Sequence, residues 1–575
     1  MITTSINITE FIKKFENNSF GRGNFSIHSK ITIKNENIKS NFTTLNNLAF
    51  RELITISQAE LKSGLAFINC QFDKGIIFEN CTTNNYDSQF NPYKCSVHFS
   101  SCTAYYLSFN NNCFFNRGIN LVNSCSIGTL SILNSTFKQQ AFKLSDSEIT
   151  RLFDIKDSII YSLSINKSKI KHLRTSSTEL NLSFFKSTFQ GLVQLWGTKI
   201  NDSLALNQNT FEQEFEVKAS NINNIFIHGD TFIKKAKLEN RDDEPNEIKA
   251  SLKSVYISEA NFLEGFELDG MGKELNKLEL RLSPKFTGIL RVIGWKIFET
   301  SISGINENLK LIFKKINFKR LTIIDFSNSG DITFESSSAE NKLFKTEEDP
   351  DSSIIASDSS FGLTKFNEFD FNSFDFIDIN NVSFNGIEAS NVIWFEDKKL
   401  RIKSEDEVQD CRRRRELYRQ IKHTLKSKGN QIDSLIFQAR EIYSYRNELK
   451  KSRNYSVGNR IIMFVSQTND YGLNWIKPTL LIISITLICY IIGLPLFTKE
   501  LWYNFDLPIA DLSLIKEVFI DNLSVLANMF NPARRFSDTY GDNVSTWLYF
   551  LDLLHRLILG IFIFQIIKAF RRLTI

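Results

Sequence analysis

A spacing recurs through more than 300 residues of this chain. Two apolar residues stand two apart, a small polar residue follows three positions later, and another apolar residue comes two after that. It reads Leu130, Ile132, Ser135, Phe137, then Phe142, Leu144, Ser147, Ile149, and later Leu163, Ile165, Ser168, Ile170. The small polar position falls at 135, 147, 158, 168, 178, 187, 198, 209, 220 and 230, in steps of 9 to 12. Residues two apart face the same side of a strand, so each apolar pair enters one core. The small residue fits a bend, where its side chain hydrogen-bonds local backbone. Two steps make about 21 residues, one coil of a parallel β-solenoid, and internal repeats of this kind override other readings of a fold.

The pattern extends upstream through Leu65, Phe67, Cys70, Phe72 and downstream to Ile377, Ile379, Val382, Phe384. The expected fold is therefore mainly β: a right-handed parallel β-helix over residues 25–395, with 1–24 as an N-terminal cap. That length predicts about seventeen coils, or roughly 80 Å at the strand spacing. Stacked coils bury columns of like side chains, and the 52 Phe residues are read as the filling. Two charged, Pro-containing stretches, Glu239 to Glu247 and Thr346 to Ser353, read as loops thrown out of the coil.

Sixty-nine basic residues stand against 64 acidic ones, a balance that does not point to nucleic acid. Six of the eight cysteines lie between Cys70 and Cys125, four of them on corner positions, and there is no Cys-x-x-Cys or Cys/His set with metal spacing. They read as corner-filling thiols. A Cys81–Cys102 disulfide is the minor alternative, if those two occupy adjacent coils. The start, MITTSINITEFIKKFENN, has no apolar signal segment, so the solenoid is expected in the cytosol.

Near residue 400 the period changes to helical. Glu405 to Gly429 and Gln431 to Lys451 predict an antiparallel helical hairpin within 400–456, turning at Gly429-Asn430. It carries Arg412, Arg413, Arg414, Arg415, Lys450, Lys451 and Arg453. These form either a solvated basic face or a contact for anionic lipid, because a membrane segment follows.

Residues 457–575 read as a membrane domain. Thr479 to Thr498 is twenty residues without a charge, and 546–567 is a second apolar span. Lys and Arg flank the outer ends of both, whereas the stretch from Lys499 to Ser545 holds four basic and seven acidic residues. The positive-inside rule then puts both termini and the solenoid in the cytosol. The second span contains Asp552, His555, Arg556 and Gln565, an intramembrane polar seam. Asp552 and Arg556, four apart, share a helix face and can pair. The seam either lines a pore or subunit contact, or lies in the outer headgroup layer. Between the spans, Ile515, Val518, Phe519, Leu523, Leu526 and Phe530 share one face of a predicted helix, as in an interfacial or re-entrant segment. A potassium-filter Thr-Val-Gly-Tyr-Gly is absent.

Three segments, Glu416 to Lys422, Ala439-Arg440-Glu441 and Tyr471 to Trp475, together with the solenoid, resemble bacterial pentapeptide-repeat membrane proteins, some of which end in a two-span module. The resemblance implies architecture and an inner-membrane location, and no catalytic residue is carried over from it. The residues themselves show no phosphate-binding Gly loop, and the six His are isolated from one another. No cofactor or metal is expected. Three functions follow in order of preference: a membrane-anchored cytosolic scaffold binding a protein or ligand; a two-span oligomeric channel or membrane-disrupting effector, with phage defence one setting; and a polysaccharide-acting solenoid enzyme.

Overall fold

The computed structural model describes residues 4–5, 13, 25–27, 31–33, 43–61, 64–83, 95–242, 249–339, 351–402, 406–452, 456–498, 501, 512–541 and 544–570. It divides into two compact units, Met1–Arg401 and Ile402–Ile575.

The first unit is a parallel β-solenoid of about 15 turns. Its coils lay strands into a 24-stranded and a 20-stranded sheet. One coil runs Glu148–Lys156 in the first sheet, Ile159–Asn166 in the second, then Lys169–Ile170 back in the first. Pairing follows the repeat: Ile149 lies beside Ile170, and Ile165 beside Phe184. The ladder also reaches upstream of residue 25, where Thr4–Ser5 pairs in parallel with Phe25–Ser26.

The core is the apolar column that the spacing implies. Ile165, Phe189, Phe211 and Phe232 are fully buried. Phe189 stacks on Phe211 at 4.8 Å and Phe211 on Phe232 at 4.6 Å, so like residues of successive coils lie face to face.

Each corner has a two-residue design, of which the small polar residue is only half. The residue before it adopts a left-handed conformation: Asn134 (φ 48°), Asp146 (φ 50°), Asp157 (φ 48°), Lys167 (φ 46°) and Gly229 (φ 66°). Asn, Asp and Gly tolerate that region best. The corner side chain then accepts the backbone N–H of the corner one coil earlier. Ser135 N donates to Ser158 Oγ, Ser147 N to Ser168 Oγ, and Ser187 N to Asn209 Oδ1. This satisfies a buried donor that the strand ladders leave out.

Cys70, Cys81, Cys102, Cys113 and Cys125 occupy these corners as free thiols. Cys102 N donates to Cys125 Sγ at 3.4 Å. Cys102 N lies one coil after Cys70, whose carbonyl accepts from Thr103 N, whereas the carbonyl of Cys81 accepts from Phe114 N, next to Cys113. Cys81 and Cys102 therefore belong to different corner columns, which removes the disulfide alternative. The solenoid has fewer turns than the seventeen expected because several coils exceed 21 residues. Cys70 and Cys102, 32 positions apart, are successive corners of one column. Both expected loop excursions lie largely outside the described residues.

The second unit is helical. Its hairpin pairs α1 (Glu407–Ser427) with α2 (Gln431–Lys451). Asp406 caps the first helix through Gln409 N, and Asn430 the second through Asp433 N. Gly429, at φ 84°, makes the turn. Buried Leu417, Tyr418, Ile421 and Leu425 belong to α1, and Phe437 and Leu449 to α2.

Beyond the hairpin come α3 (Val457–Gln467), α4 (Ile476–Phe497), α5 (Leu512–Asp521), α6 (Leu523–Met529), α7 (Phe536–Tyr540) and α8 (Thr546–Phe570). Two helices, α4 and α8, are long and apolar enough to cross a membrane, and only 28% of the apolar window of each is buried within the protein. The single helix expected over 515–530 is two, broken at Asn522, whose side-chain amide bonds the Val518 carbonyl at 2.9 Å.

Candidate functional site

On α8 the buried positions are Leu548, Asp552, His555, Leu559, Phe562, Gln565 and Ala569. Steps of three and four place them on one face. The buried face of α4 is Pro478, Ile482, Thr486, Tyr490, Gly493 and Leu494. Ile482 packs with Leu559 and Phe562, and Tyr490 and Leu494 pack with Leu548 and Tyr540. The ionisable face of α8 thus turns into its own bundle.

Arg534 is the centre of the polar cluster. It follows Asn531-Pro532, where α6 has ended, and its side chain is 3% exposed. Nη1 donates to the Met529 carbonyl at 2.6 Å. Nη2 donates to Asp552 Oδ1 and, at 3.1 Å, reaches His555 Nδ1. A guanidinium has only donors, so His555 Nδ1 is the acceptor. Its proton sits on Nε2, which faces Thr486 Oγ1 at 3.1 Å. Tyr540 donates to Asp552 Oδ1 at 3.3 Å, and Arg556 Nε to Asp552 Oδ2 at 2.7 Å.

One carboxylate thus holds two guanidiniums and a phenol, and one imidazole bridges the cluster to α4. Together they join α4, the segment between the apolar helices and α8. Nearby, Tyr490 Oη donates to the Phe519 carbonyl at 2.8 Å, holding α5 against α4.

The seam anticipated from sequence is divided. Asp552, His555 and Arg556 share one network. Gln565 lies 13 residues beyond Asp552, about 20 Å along the helix. There the buried Asn469 donates its side-chain amide to the Gln565 carbonyl at 3.2 Å. Sequence reasoning missed Arg534, Tyr540 and Thr486. An Asp inside an apolar helix signals a need for a cation, and Arg534 is one of four basic residues in the stretch between the spans.

The basic residues of the hairpin do not form one open patch. Arg412 Nε and Arg415 Nη1 both reach Glu448, at 3.2 and 2.7 Å, Arg414 pairs with Asp410, and Lys451 pairs with Glu407 at 3.0 Å. Arg415 also lies over the Tyr445 ring at 5.1 Å. Arg413 and Lys450 lie exposed on the hairpin, and Arg453 lies outside the described residues.

On the solenoid, neighbouring coils present matched side chains. Phe226 stacks on Tyr256 at 4.8 Å with Lys277 Nζ 5.4 Å above the Tyr256 ring, and Lys237 lies between Glu239 and Glu267. Among the described residues, no group of three or more His, Cys, Asp or Glu is placed to hold a metal ion.

No protein-family model matches the sequence, and no curated protein is similar to it. Among solved structures, the PL6 family alginate lyase AlyGC aligns with 70% of this chain and 99% of its own, at 8% identity and a TM-score of 0.15. A likeness of that size carries no argument about activity.

Proposed function

We propose that this protein is a membrane-anchored solenoid scaffold of a bacterial inner membrane. In this reading α4 and α8 cross the bilayer, both termini and the solenoid lie in the cytosol, and the coil flanks dock a cytosolic protein or ligand. The exposed apolar side chains of both helices support the membrane assignment. Leu480, Ile483 and Ile491 on α4, and Phe550, Leu557 and Phe564 on α8, are solvent-facing and suit lipid.

The observation that carries the anchor reading is the closure of the ion network within one chain. Asp552 and His555 are engaged by Arg534, Tyr540, Arg556 and Thr486. A pore lining needs its charges facing water or another subunit, and here they hold the inter-helix segment in place. The repeated coil flanks suit docking, since outward side chains such as Tyr256 and Lys237 are held by those of adjacent coils.

The test is ion flux from liposomes holding the full chain, with Arg556→Gln in parallel. The scaffold reading expects no flux above empty liposomes for either protein. Current that changes ion selectivity with Arg556→Gln would replace it with the channel alternative.

A further inference from the structure

Helix α3, Val457–Gln467, leaves most of its large apolar side chains exposed. Its protected positions are Met463 and the half-buried Asn459, Val465 and Ser466, whereas Val457, Ile461, Ile462 and Phe464 are 60–71% exposed. A helix packed on a soluble core turns its apolar stripe inward. Here Val457, Ile461 and Phe464, at i, i+4 and i+7, form a stripe facing out. Ser456 caps the start, its Oγ accepting from Asn459 N at 3.3 Å.

The joint between α3 and α4 is ordered. Asn469 is fully buried; its Oδ1 accepts from Gly472 N at 2.9 Å and its amide donates to the Gln565 carbonyl on α8. Trp475 stacks on Phe570, the last residue of α8, at 5.4 Å, and Lys477 pairs with Asp470 at 2.6 Å. A Trp and a Lys at the end of an apolar helix mark the headgroup level of a bilayer. The exposed apolar surface of α4 begins there, with Ile476 and Leu480. The joint thus tethers α3 at that level.

We infer that α3 is an interfacial helix lying along the inner leaflet, with Val457, Ile461 and Phe464 among the acyl chains. The inference rests on the reading of α4 and α8 as spans, and it names lipid as the occupant of this stripe. It gives the anchor a third element, a strut parallel to the membrane between the spans and the hairpin.

The test uses the full chain in nanodiscs of phosphatidylcholine and phosphatidylglycerol. Single spin labels replace Ile461, Phe464, Ser466 and Ile483 in turn on a Cys489→Ala background, since the other seven cysteines are buried. Collision with oxygen reports lipid, and collision with a water-soluble nickel chelate reports solvent. The expected result is a severalfold higher oxygen-to-nickel ratio at 461 and 464 than at 466. Nickel-accessible labels at 461 and 464 would overturn the inference. Labels shielded from both reagents would also overturn it, indicating cover by the solenoid unit or a second copy. Site 483 separates the two failures: oxygen-favoured there, only the placement of α3 fails; nickel-favoured there, the spanning of α4 fails as well.

Discussion

Arg534 and Asp552 meet across 18 positions of sequence with side chains only 3% and 5% exposed. Neither charge is tolerable alone in such a place, and the pair holds because carbonyls, Tyr540, His555 and Arg556 engage the terminal guanidinium nitrogens and both carboxylate oxygens. Arg534→Ala should destabilise the helical unit by about 3–5 kcal/mol. Arg534→Met combined with Asp552→Leu should recover most of that loss. Denaturant unfolding in detergent measures both. If the double variant is no more stable than the single, the pair does not secure the segment between the two apolar helices.

The register of the solenoid separates two positions only two residues apart. Ile165 is fully buried, whereas Lys167 is the left-handed residue before a corner. Ile165→Asp places a charge in the apolar column and should lower the melting temperature by well over ten degrees. Lys167→Asn should leave it level or slightly raised. Lys167→Val should cost about 1–2 kcal/mol through backbone strain. Equal shifts for Ile165→Asp and Lys167→Asn would refute the register.

Asp230 is a pH-sensitive corner. It is fully buried, and burial pushes its carboxyl up to about 7 against the hydrogen bonds from Asn209 and from His228 N. The unfolded value is near 3.8, so the folded protein holds the extra proton between the two values. Stability therefore falls as pH rises through that window, by on the order of 4 kcal/mol when complete. The solenoid transition should melt lower at pH 8 than at pH 5, and Asp230→Ser, the ordinary corner residue, should flatten that slope. An unchanged slope in the variant would assign it to other groups.

Membrane topology is testable with two exposed serines of the helical unit. A cysteine at Ser537 should react with an impermeant maleimide on intact cells, and one at Ser427 only after permeabilisation. Labelling of Ser427 from outside would reverse the proposed orientation.

The repeat was legible because its signal is redundant. Every coil restates the same apolar pair and corner, so Ile165 or Phe189 could be placed in the core from spacing alone. The left-handed residue before each corner went unread. Asn and Asp mark it in many coils, but Lys167, Lys186 and Ala219 take the same backbone, since surrounding strands impose the conformation. The hairpin was legible to within a few residues through its helical period and the Gly429 turn. The ion network was half legible. Asp552 and Arg556 share a helix and a four-residue spacing, whereas Arg534 reaches them only through the fold of a segment whose own pattern suggested one unbroken helix. The pairing of Arg412 and Arg415 with Glu448 was hidden for the same reason, because sequence shows the run of like charge and not the partner on the returning helix.

The corner columns give the solenoid a direction in time as well as in space. The N–H of Ser135 waits for the hydroxyl of Ser158, that of Ser168 for Ser187, and that of Asn209 for Asp230. Each acceptor belongs to the coil made next. On the ribosome, where the chain emerges from its N-terminus, each of these corners is therefore finished only once the following coil has been made. Over these coils the growing protein carries an advancing front of unmet corner hydrogen bonds, and a chain cut just after one of these corners ends on one.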